Sequence, residues 1–321
     1  MCSRGIAGVI ADWYGEASYE NTVMLNWIPE IQKYNAGQLA FQGGKVPAQS
    51  FLLAIMEDQG AGNLKGCDAK GTCTSGLVTD LNYIKSHYEA QSFYVRSASG
   101  TPVVWMFDVS GQHPTIDWSS VRSQAPGHLF IQENSGGFSA AAAVADGGFA
   151  WIQINSNPDD WGSTYLRDFY AAASGSSRYA TGGAWKGFND SAASWGSHRA
   201  INQHCGLSWL NTLGATSQTT RALEAYPLVT WNDYEEGTAL EPGIDNCLSD
   251  VALSGAGSQI SWAPQFAADG NTTIIDHYTV WARTATDQMI NVSGPLPVSQ
   301  SFYDLAQGTG LTAGTTYTIY V

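Results

Sequence analysis

Residues 51–58 read Phe51-Leu-Leu-Ala-Ile-Met-Glu-Asp58, an unbroken apolar run that ends in two carboxylates. A short apolar run bounded by polar residues is typical of a strand in a buried parallel sheet. Further runs of this kind lie between residues 5 and 233: Ile6–Asp12, Pro102–Asp108, His128–Asn134, Phe149–Asn155, Ala184–Asp190 and Leu228–Asp233. The sequence therefore predicts seven strands in this part of the chain.

Amphipathic stretches separate several of these runs. Apolar side chains recur at helical spacing in three places: Leu77, Leu81, Ile84 and Tyr88; Tyr165 and Phe169; and Ile201, Cys205 and Trp209. Strands that alternate with helices indicate an α/β fold built on a parallel sheet.

Nearly every predicted strand ends in a carboxylate or an amide. These residues are Asp12, Glu57 with Asp58, Asp108, Glu133 with Asn134, Asn155, Asp190, and Asn232 with Asp233. A single Asp at this position can cap the next helix, and this is the better explanation for Asp190. In a parallel barrel, however, the carboxyl ends of all strands meet at one mouth. Because no glycine-rich phosphate loop follows any strand, a (β/α)-barrel of the TIM type is favoured over a doubly wound sheet.

The pattern changes after Cys247 to a period of two with turn residues between the runs. The predicted strands are Ser258–Ala263, Ile274–Ala282, Ser299–Leu305 and Thr315–Val321, preceded by a linker over Ser249–Gly257. We therefore predict a barrel domain over residues 1–248 and a small all-β sandwich over residues 249–321. Within the sandwich, Gln259-Ile-Ser-Trp262, Tyr278-Thr-Val-Trp281 and Tyr317-Thr-Ile-Tyr320 resemble strands of fibronectin type III modules, with the last strand absent.

Composition narrows the class of partner. The chain carries a net charge of −14, which argues against nucleic acid and anionic membranes. Its 12 Trp residues favour a sugar ligand, because indole rings stack on the apolar face of a pyranose. The sequence shows neither a membrane span nor a signal peptide at its start, and we expect a secreted or cell-surface protein whose export signal has been removed.

The five cysteines are consistent with an oxidising compartment. Cys67 and Cys73 enclose a short loop and are predicted to form a local disulfide. Cys205 either pairs with Cys247 or is a core thiol, and Cys2 is left over. Because no His or Cys residues fall at the usual zinc-ligand spacing, no metal site is predicted, and no cofactor is expected.

The richest group of carboxylates is Asp233, Glu235, Glu236 and Glu241, directly after the last apolar run. Cleavage of a glycosidic bond needs one protonated carboxyl group and one ionised carboxylate. If residues 233–236 form a turn, Asp233 and Glu236 project on the same side while Glu235 points elsewhere. The alternative interpretation is that these acidic residues form a solvated loop without a catalytic role.

The stretch Trp231-Asn-Asp-Tyr-Glu-Glu-Gly-Thr-Ala-Leu-Glu241-Pro resembles the last-strand motif of glycoside hydrolase families 71 and 99, the α-1,3-glucanase and endo-α-mannosidase group. Gly8-Val-Ile-Ala-Asp12-Trp-Tyr-Gly resembles their second-strand motif and residues 51–58 their third. The resemblance implies that Glu236 is the general acid and that Asp233 assists attack at the anomeric carbon.

Three departures accompany this resemblance. Asp233 stands where the mannosidase branch has Glu, and Glu235 adds a third carboxylate. The chain also begins at the equivalent of the second barrel strand, so the first strand is missing. Either the ends of the sequence are trimmed, or the open barrel is closed by the sandwich or by a second copy of the chain. Closure by a second copy would make a homo-oligomer.

The expected function is that of a glycoside hydrolase acting on a polysaccharide such as an α-glucan or α-mannan. The alternative is a non-catalytic carbohydrate-binding or cell-surface protein; an ester hydrolase lacks support because no Gly-x-Ser-x-Gly motif is present. The substrate-binding residues are expected at or after the strand ends: Asp12, Trp13, Tyr14, Glu57, Asp58, Trp105, Asp108, Trp185, Trp231, Asn232, Tyr234 and Glu235.

Overall fold

A computed structural model describes residues 5–41, 44–45, 50–60, 62–133, 138–139, 144–267 and 270–321. Its contacts divide the chain into two compact units. The first unit is Met1–Gln153, Gly162–Ala184 and Ala215–Leu228, and the second is Ile154–Trp161, Trp185–Gly214 and Val229–Val321. A domain boundary between residues 248 and 249 stays a prediction. Cys2 and Asn134 lie outside the described residues.

The first unit contains a parallel sheet with helices between its strands. Its strands are β1 (Gly8–Trp13), β2 (Ala40–Phe41), β3 (Gly44–Lys45), β4 (Leu52–Asp58), β5 (Val103–Phe107), β6 (Leu129–Glu133), β7 (Gly147–Phe149) and β8 (Tyr179–Thr181). Its helices are α1 (Tyr19–Asn35), α2 (Cys67–Lys70), α3 (Cys73–His87), α4 (Val109–Gln112), α5 (Trp118–Gln124) and α6 (Ser163–Ser174). The six strands of the main sheet follow the order β1-β4-β5-β6-β7-β8, which makes this unit a partial TIM barrel. The predicted α/β fold is confirmed.

The first four predicted strands correspond to β1, β4, β5 and β6, but the later three are displaced. The fifth run meets β7 only at Phe149, and residues 150–155 lie beyond the strand. In place of the sixth run the sheet uses β8, which ends at Thr181. The seventh run contributes only a parallel bridge from Leu228 to Ala184, preceded by one from Ala225 to Thr181.

Alternate side chains of the sheet point to opposite faces, which we call the helix face and the inner face. On the helix face, Leu53 and Ile55 of β4 pack in one core with Leu77 and Leu81 of α3. The inner face is filled by Ala54, Met56, Val103, Trp105, Ile131 and Phe149. By this alternation Asp12, Asp58 and Glu133 lie on the inner face, whereas Trp13 and Glu57 lie on the helix face.

Two of the three helical patterns are confirmed. Leu77, Leu81 and Ile84 are buried on α3, and Phe169 is buried on α6. The third pattern is wrong: Ile201 belongs to a short strand, and Cys205 has a left-handed backbone with φ of 54°. The helix of that region begins only at Leu207.

The second unit contains two three-stranded sheets that share one core, and a separate pair of short strands. Its helix is α7 (Leu207–Gly214), and its strands are β9 (Phe188–Asn189), β10 (Ala200–Ile201), β11 (Leu248–Ala256), β12 (Gln259–Phe266), β13 (His277–Arg283), β14 (Met289–Pro297), β15 (Phe302–Asp304) and β16 (Thr318–Tyr320). The antiparallel sheets β11-β12-β15 and β14-β13-β16 enclose Ile260, Trp262, Tyr278, Val280, Ala282 and Val292.

The predicted linker over Ser249–Gly257 is wrong, because residues 248–256 form β11 and pair with β12 along its whole length. Half-buried Val251 packs on the sandwich core, whereas most other side chains of the strand are exposed. Such an edge strand lacks the apolar run that marks a buried strand. Among the described residues, no helix combines the length and the hydropathy that crossing a bilayer requires.

Candidate active site

Residues 231–237, which we call the carboxylate loop, form a turn fixed by hydrogen bonds on both sides. The Asp233 N–H donates to Thr230 Oγ1 at 3.0 Å, and the Glu236 N–H donates to Asp233 Oδ1 at 2.9 Å. The Ala239 N–H donates to the Asp233 carbonyl at 3.0 Å, and the Asn189 N–H donates to the Glu236 carbonyl at 2.7 Å. An Asp that accepts from the N–H three residues later has the geometry of a helix cap, so this carboxylate is held in a defined place. The loop is therefore an ordered turn.

Glu236 and Asp233 are both half-buried, while Glu235 is exposed. Burial, followed by the nearby charge of Asp233, raises the pKa of Glu236 to about 7, although Arg199 acts against the shift. At neutral pH a carboxyl group with this pKa is protonated in about half of the molecules. The loop thus offers one proton donor and, in Asp233, a second carboxylate close by.

An ion pair between buried Asp190 and exposed Arg199 lies next to the carboxylate loop in the second unit. Asp190 is fully buried and accepts from Arg199 twice, at 2.7 Å from its backbone N–H and at 2.7 Å from Nε. It also accepts from the Ser197 N–H at 3.2 Å. Sequence reasoning gave Asp190 a capping role, and it instead fixes Arg199 close enough to influence Glu236.

The remaining side chains of the carboxylate loop differ in exposure. Tyr234 is 60% exposed, and its hydroxyl donates to Glu241 Oε2 at 2.8 Å, which raises the pKa of the phenol. Asn232 is exposed and Trp231 is half-buried. These side chains are accessible to a ligand that reaches the loop.

The first unit brings a separate set of polar residues to the carboxyl ends of its strands, and three of them, Asp12, Asp58 and Glu133, lie on the inner face. Asp12 accepts a hydrogen bond from the exposed Tyr14 hydroxyl at 2.9 Å. Asp58 is 8% exposed and accepts from the Gly60 N–H at 2.6 Å. Burial raises the pKa of Asp58. We call Asp12, Tyr14, Asp58, Asp108 and Glu133 the strand-end group.

Glu133 is the member of this group that the predicted binding set omitted. It is 7% exposed at the end of β6, and burial together with the charge of Asp108 raises its pKa to about 7. Asp108 is half-buried, with a left-handed backbone at φ of 47°, and accepts from Gln112 Nε2 at 2.8 Å. In the sequence, Glu133 stands at the end of a predicted strand just as Asp58 does, and this was the signal that could have identified it.

Two predicted binding residues lie on the helix face instead, so these predictions are wrong. The Trp13 ring is fully buried, with Nε1 donating to Asn21 Oδ1 at 2.9 Å and the ring stacked on Tyr83. Glu57 is also fully buried, and burial together with the carboxylate of Asp80 raises its pKa well above the ordinary value. A side chain enclosed by core residues cannot contact a sugar.

Trp105 and Trp185 also lack the exposed ring surface that stacking requires. Trp105 lies on the inner face at 2% exposure, and its Nε1 has no hydrogen-bond partner among the described residues. Trp185 is fully buried, and its Nε1 donates to the Trp161 carbonyl at 3.0 Å. Both rings fill the interior of their own unit, which corrects the stacking role expected for them.

Disulfides are present in both units. The predicted bond between Cys67 and Cys73 is confirmed, and the open question about the other pair is answered by a Cys205–Cys247 disulfide. The second bond joins the turn before α7 to the residue before β11. Two disulfides accord with an oxidising environment.

Comparison with known proteins gives a likeness in structure alone. No protein-family model matches the chain, and no curated protein matches it in sequence. A glycoside hydrolase family 99 endo-alpha-mannosidase from Bacteroides thetaiotaomicron is 15% identical, with a TM-score of 0.51 over 78% of this chain and 72% of that one. A glycoside hydrolase-like protein is 12% identical, with a TM-score of 0.52 over 74% of each chain. These likenesses show that the chain shares the fold of the family 99 hydrolases.

Proposed function

We propose that the chain is a glycoside hydrolase that cleaves a polysaccharide by general acid/base catalysis, with Glu236 as the acid and Asp233 as the assisting carboxylate. The observation that carries this proposal is the half-buried Glu236, whose pKa rises to about 7 beside Asp233. Efficient proton transfer needs a group whose pKa lies near the working pH. Two carboxyl groups with different protonation states are what glycosidic cleavage requires.

The chemistry divides between the two residues as follows. Protonated Glu236 donates its proton to the glycosidic oxygen, so that the leaving group departs as a neutral alcohol. Ionised Asp233 assists attack at the anomeric carbon and stabilises the positive charge that develops there. Holding Asp233 Oδ1 on the Glu236 N–H keeps the carboxylate in place before substrate arrives.

The substrate we propose is an uncharged polysaccharide, an α-glucan or an α-mannan. Exposed Tyr234 offers aromatic surface for a sugar ring at the carboxylate loop, and exposed Asn232 offers an amide group for sugar hydroxyls. The structural neighbour from Bacteroides is named an endo-alpha-mannosidase, which motivates testing mannans first. The two disulfides support an extracytoplasmic location, where polysaccharides are encountered.

The experiment is a reducing-end assay on α-mannan and α-1,3-glucan with three amide variants of the full chain. We expect Glu236→Gln and Asp233→Asn each to lower kcat/KM by about 10²–10⁴-fold. Glu30→Gln is the control, since it removes the same charge from an exposed side chain of α1 outside the predicted site, and it should retain activity. Circular dichroism verifies that all three variants are folded.

The outcome that would refute the assignment is full activity in Glu236→Gln. A parent chain that binds glycan saturably but releases no reducing ends over a long incubation would instead favour a carbohydrate-binding protein without catalysis.

A further inference from the structure

Four potential metal ligands converge in the first unit, outside the strand-end group and in the other unit from the carboxylate loop. The ligand atoms of Cys67, Asp68, Cys73 and His113 all lie within 4.8 Å of one another. Cys67 opens α2, Cys73 opens α3, and His113 follows α4, so three elements supply the set. The two cysteines and the histidine are buried, whereas Asp68 is exposed.

His113 has the orientation of a metal ligand. Its Nε2–H donates a hydrogen bond to the Gln59 carbonyl oxygen at 2.6 Å. A ligating histidine characteristically donates its other ring N–H to a backbone carbonyl, which orients the ring and fixes the tautomer. The sequence spacing gave no hint of this residue, because it lies 40 positions after Cys73.

The second ring nitrogen of His113 faces the other three ligands. Nδ1 lies 2.6 Å from Asp68 Oδ2, 3.5 Å from Cys67 Sγ and 3.8 Å from Cys73 Sγ. A neutral imidazole carries one N–H, and in His113 this N–H is bonded to the Gln59 carbonyl oxygen. With its N–H directed at Gln59, the neutral ring presents the Nδ1 lone pair to the other three ligands, as a metal-bound histidine does.

We propose that this cluster binds one Zn²⁺ when the Cys67–Cys73 disulfide is reduced, with Cys67 Sγ, Cys73 Sγ, His113 Nδ1 and an Asp68 oxygen as the four ligands. Two sulfurs, one imidazole nitrogen and one carboxylate oxygen are donors that tetrahedral Zn²⁺ accepts. This inference does not depend on the proposed hydrolase activity.

The redox step consumes two molecules of a thiol reductant. They pass two electrons and two protons to the disulfide, leaving two cysteine thiols and one oxidised disulfide of the reductant. Zn²⁺ then displaces both thiol protons, so that binding releases protons. The cation also neutralises thiolates that would otherwise be buried in the helix-face core. The disulfide and the metal are thus alternative cross-links of residues 67–73.

The test is a metal titration of the full chain, reduced with a phosphine under argon after treatment with a chelator. Co²⁺ serves as the spectroscopic probe, because thiolate ligation gives a charge-transfer band and a tetrahedral site gives intense d–d bands. We expect one Co²⁺ per reduced chain, displaced by Zn²⁺, and none bound by the oxidised chain. His113→Ala and Asp68→Asn should each weaken Zn²⁺ binding at least about tenfold.

Cys205→Ser/Cys247→Ser is the matched control, since it removes the other pair of sulfurs and should leave the spectrum unchanged. Three outcomes would overturn the proposal. The reduced chain keeps its near-ultraviolet circular dichroism but binds no Co²⁺; or Cys67→Ser/Cys73→Ser binds Co²⁺ as the parent does; or reduction abolishes the folded signal and Zn²⁺ does not restore it.

Discussion

The Glu236 carboxyl group couples the chemistry of the loop to the stability of the fold. Its pKa is about 7 in the folded chain and near the ordinary value of 4.5 when unfolded, so the folded state holds an extra proton between these values. Stability from this group is therefore complete below about pH 4.5 and is lost as the pH rises through 7. We expect Glu236→Gln to match the parent at pH 4.5 and to exceed its free energy of unfolding by about 1–2 kcal/mol at pH 8, a figure reduced for partial exposure.

Urea unfolding at the two pH values measures this difference directly. Glu235→Gln is the control, because an exposed carboxylate has no comparable burial and should show the same small change at both pH values. Equal stability of parent and Glu236→Gln at pH 8 would contradict the raised pKa.

At the scale of residues, the sequence was a good guide to local backbone conformation. It was a poor guide to which face of the sheet a side chain occupies. A turn over residues 233–236 was the condition for bringing the Asp233 and Glu236 side chains to one side, and the structure has a turn there. Trp13 and Glu57 were assigned to the site because they end apolar runs, yet alternation places them on the helix face. In a continuous apolar strand the sequence does not show which residues point to which face of the sheet, because neither face carries polar residues.

At the scale of elements, β7 shows why part of the sheet escaped prediction. Gly147 pairs with Tyr179 of β8, and a Cβ at Gly147 would lie 2.3 Å from the Tyr179 carbonyl oxygen. Glycine is required there by the close approach of two backbones. We expect Gly147→Ala to lower the free energy of unfolding by about 1–3 kcal/mol, as measured by urea denaturation.

Gly175 provides the matched control in the same unit. It ends α6 with φ of −85°, and a Cβ there would meet only the Ala172 carbonyl oxygen, at 3.8 Å. Alanine at this position should leave stability nearly unchanged. Equal stabilities of the two alanine variants would show that the backbones of β7 and β8 can separate without cost.

The apolar content of each strand decides whether the sequence reveals its position. β1, β4, β5 and β6 are continuous apolar strands, and their positions follow from composition alone. β7 and β8 are short and lie among glycines and alanines, so the apolar signal falls on residues beyond them. β14 contains Gly294, Pro295 and Pro297, which resemble a turn in sequence, although cross-strand pairing with β13 holds them in a strand.

At the scale of the whole molecule, the net charge of −14 and a pI near 4.6 bear on which polysaccharides can approach. Each sugar acid on a polymer would be repelled by the field of the protein, whereas a neutral glucan or mannan feels no such force. Salt screens this repulsion over a distance of about 10 Å at 0.1 M. We expect a carboxymethylated glucan to bind at least about tenfold more weakly than its neutral parent in dilute buffer at pH 7. Its affinity should rise with added NaCl, while that of the neutral polymer stays constant.

Affinity electrophoresis or calorimetry with this matched pair of polymers measures the effect of ligand charge on affinity, since the two ligands share a backbone. The difference should also shrink as the pH falls toward the pI, because the protein then loses the net charge that repels the modified polymer. Tighter binding of the carboxymethylated glucan at low salt would mean that local cationic groups, not the total charge, govern the approach of substrate. Selection of neutral polysaccharide would then have to come from contacts at the carboxylate loop.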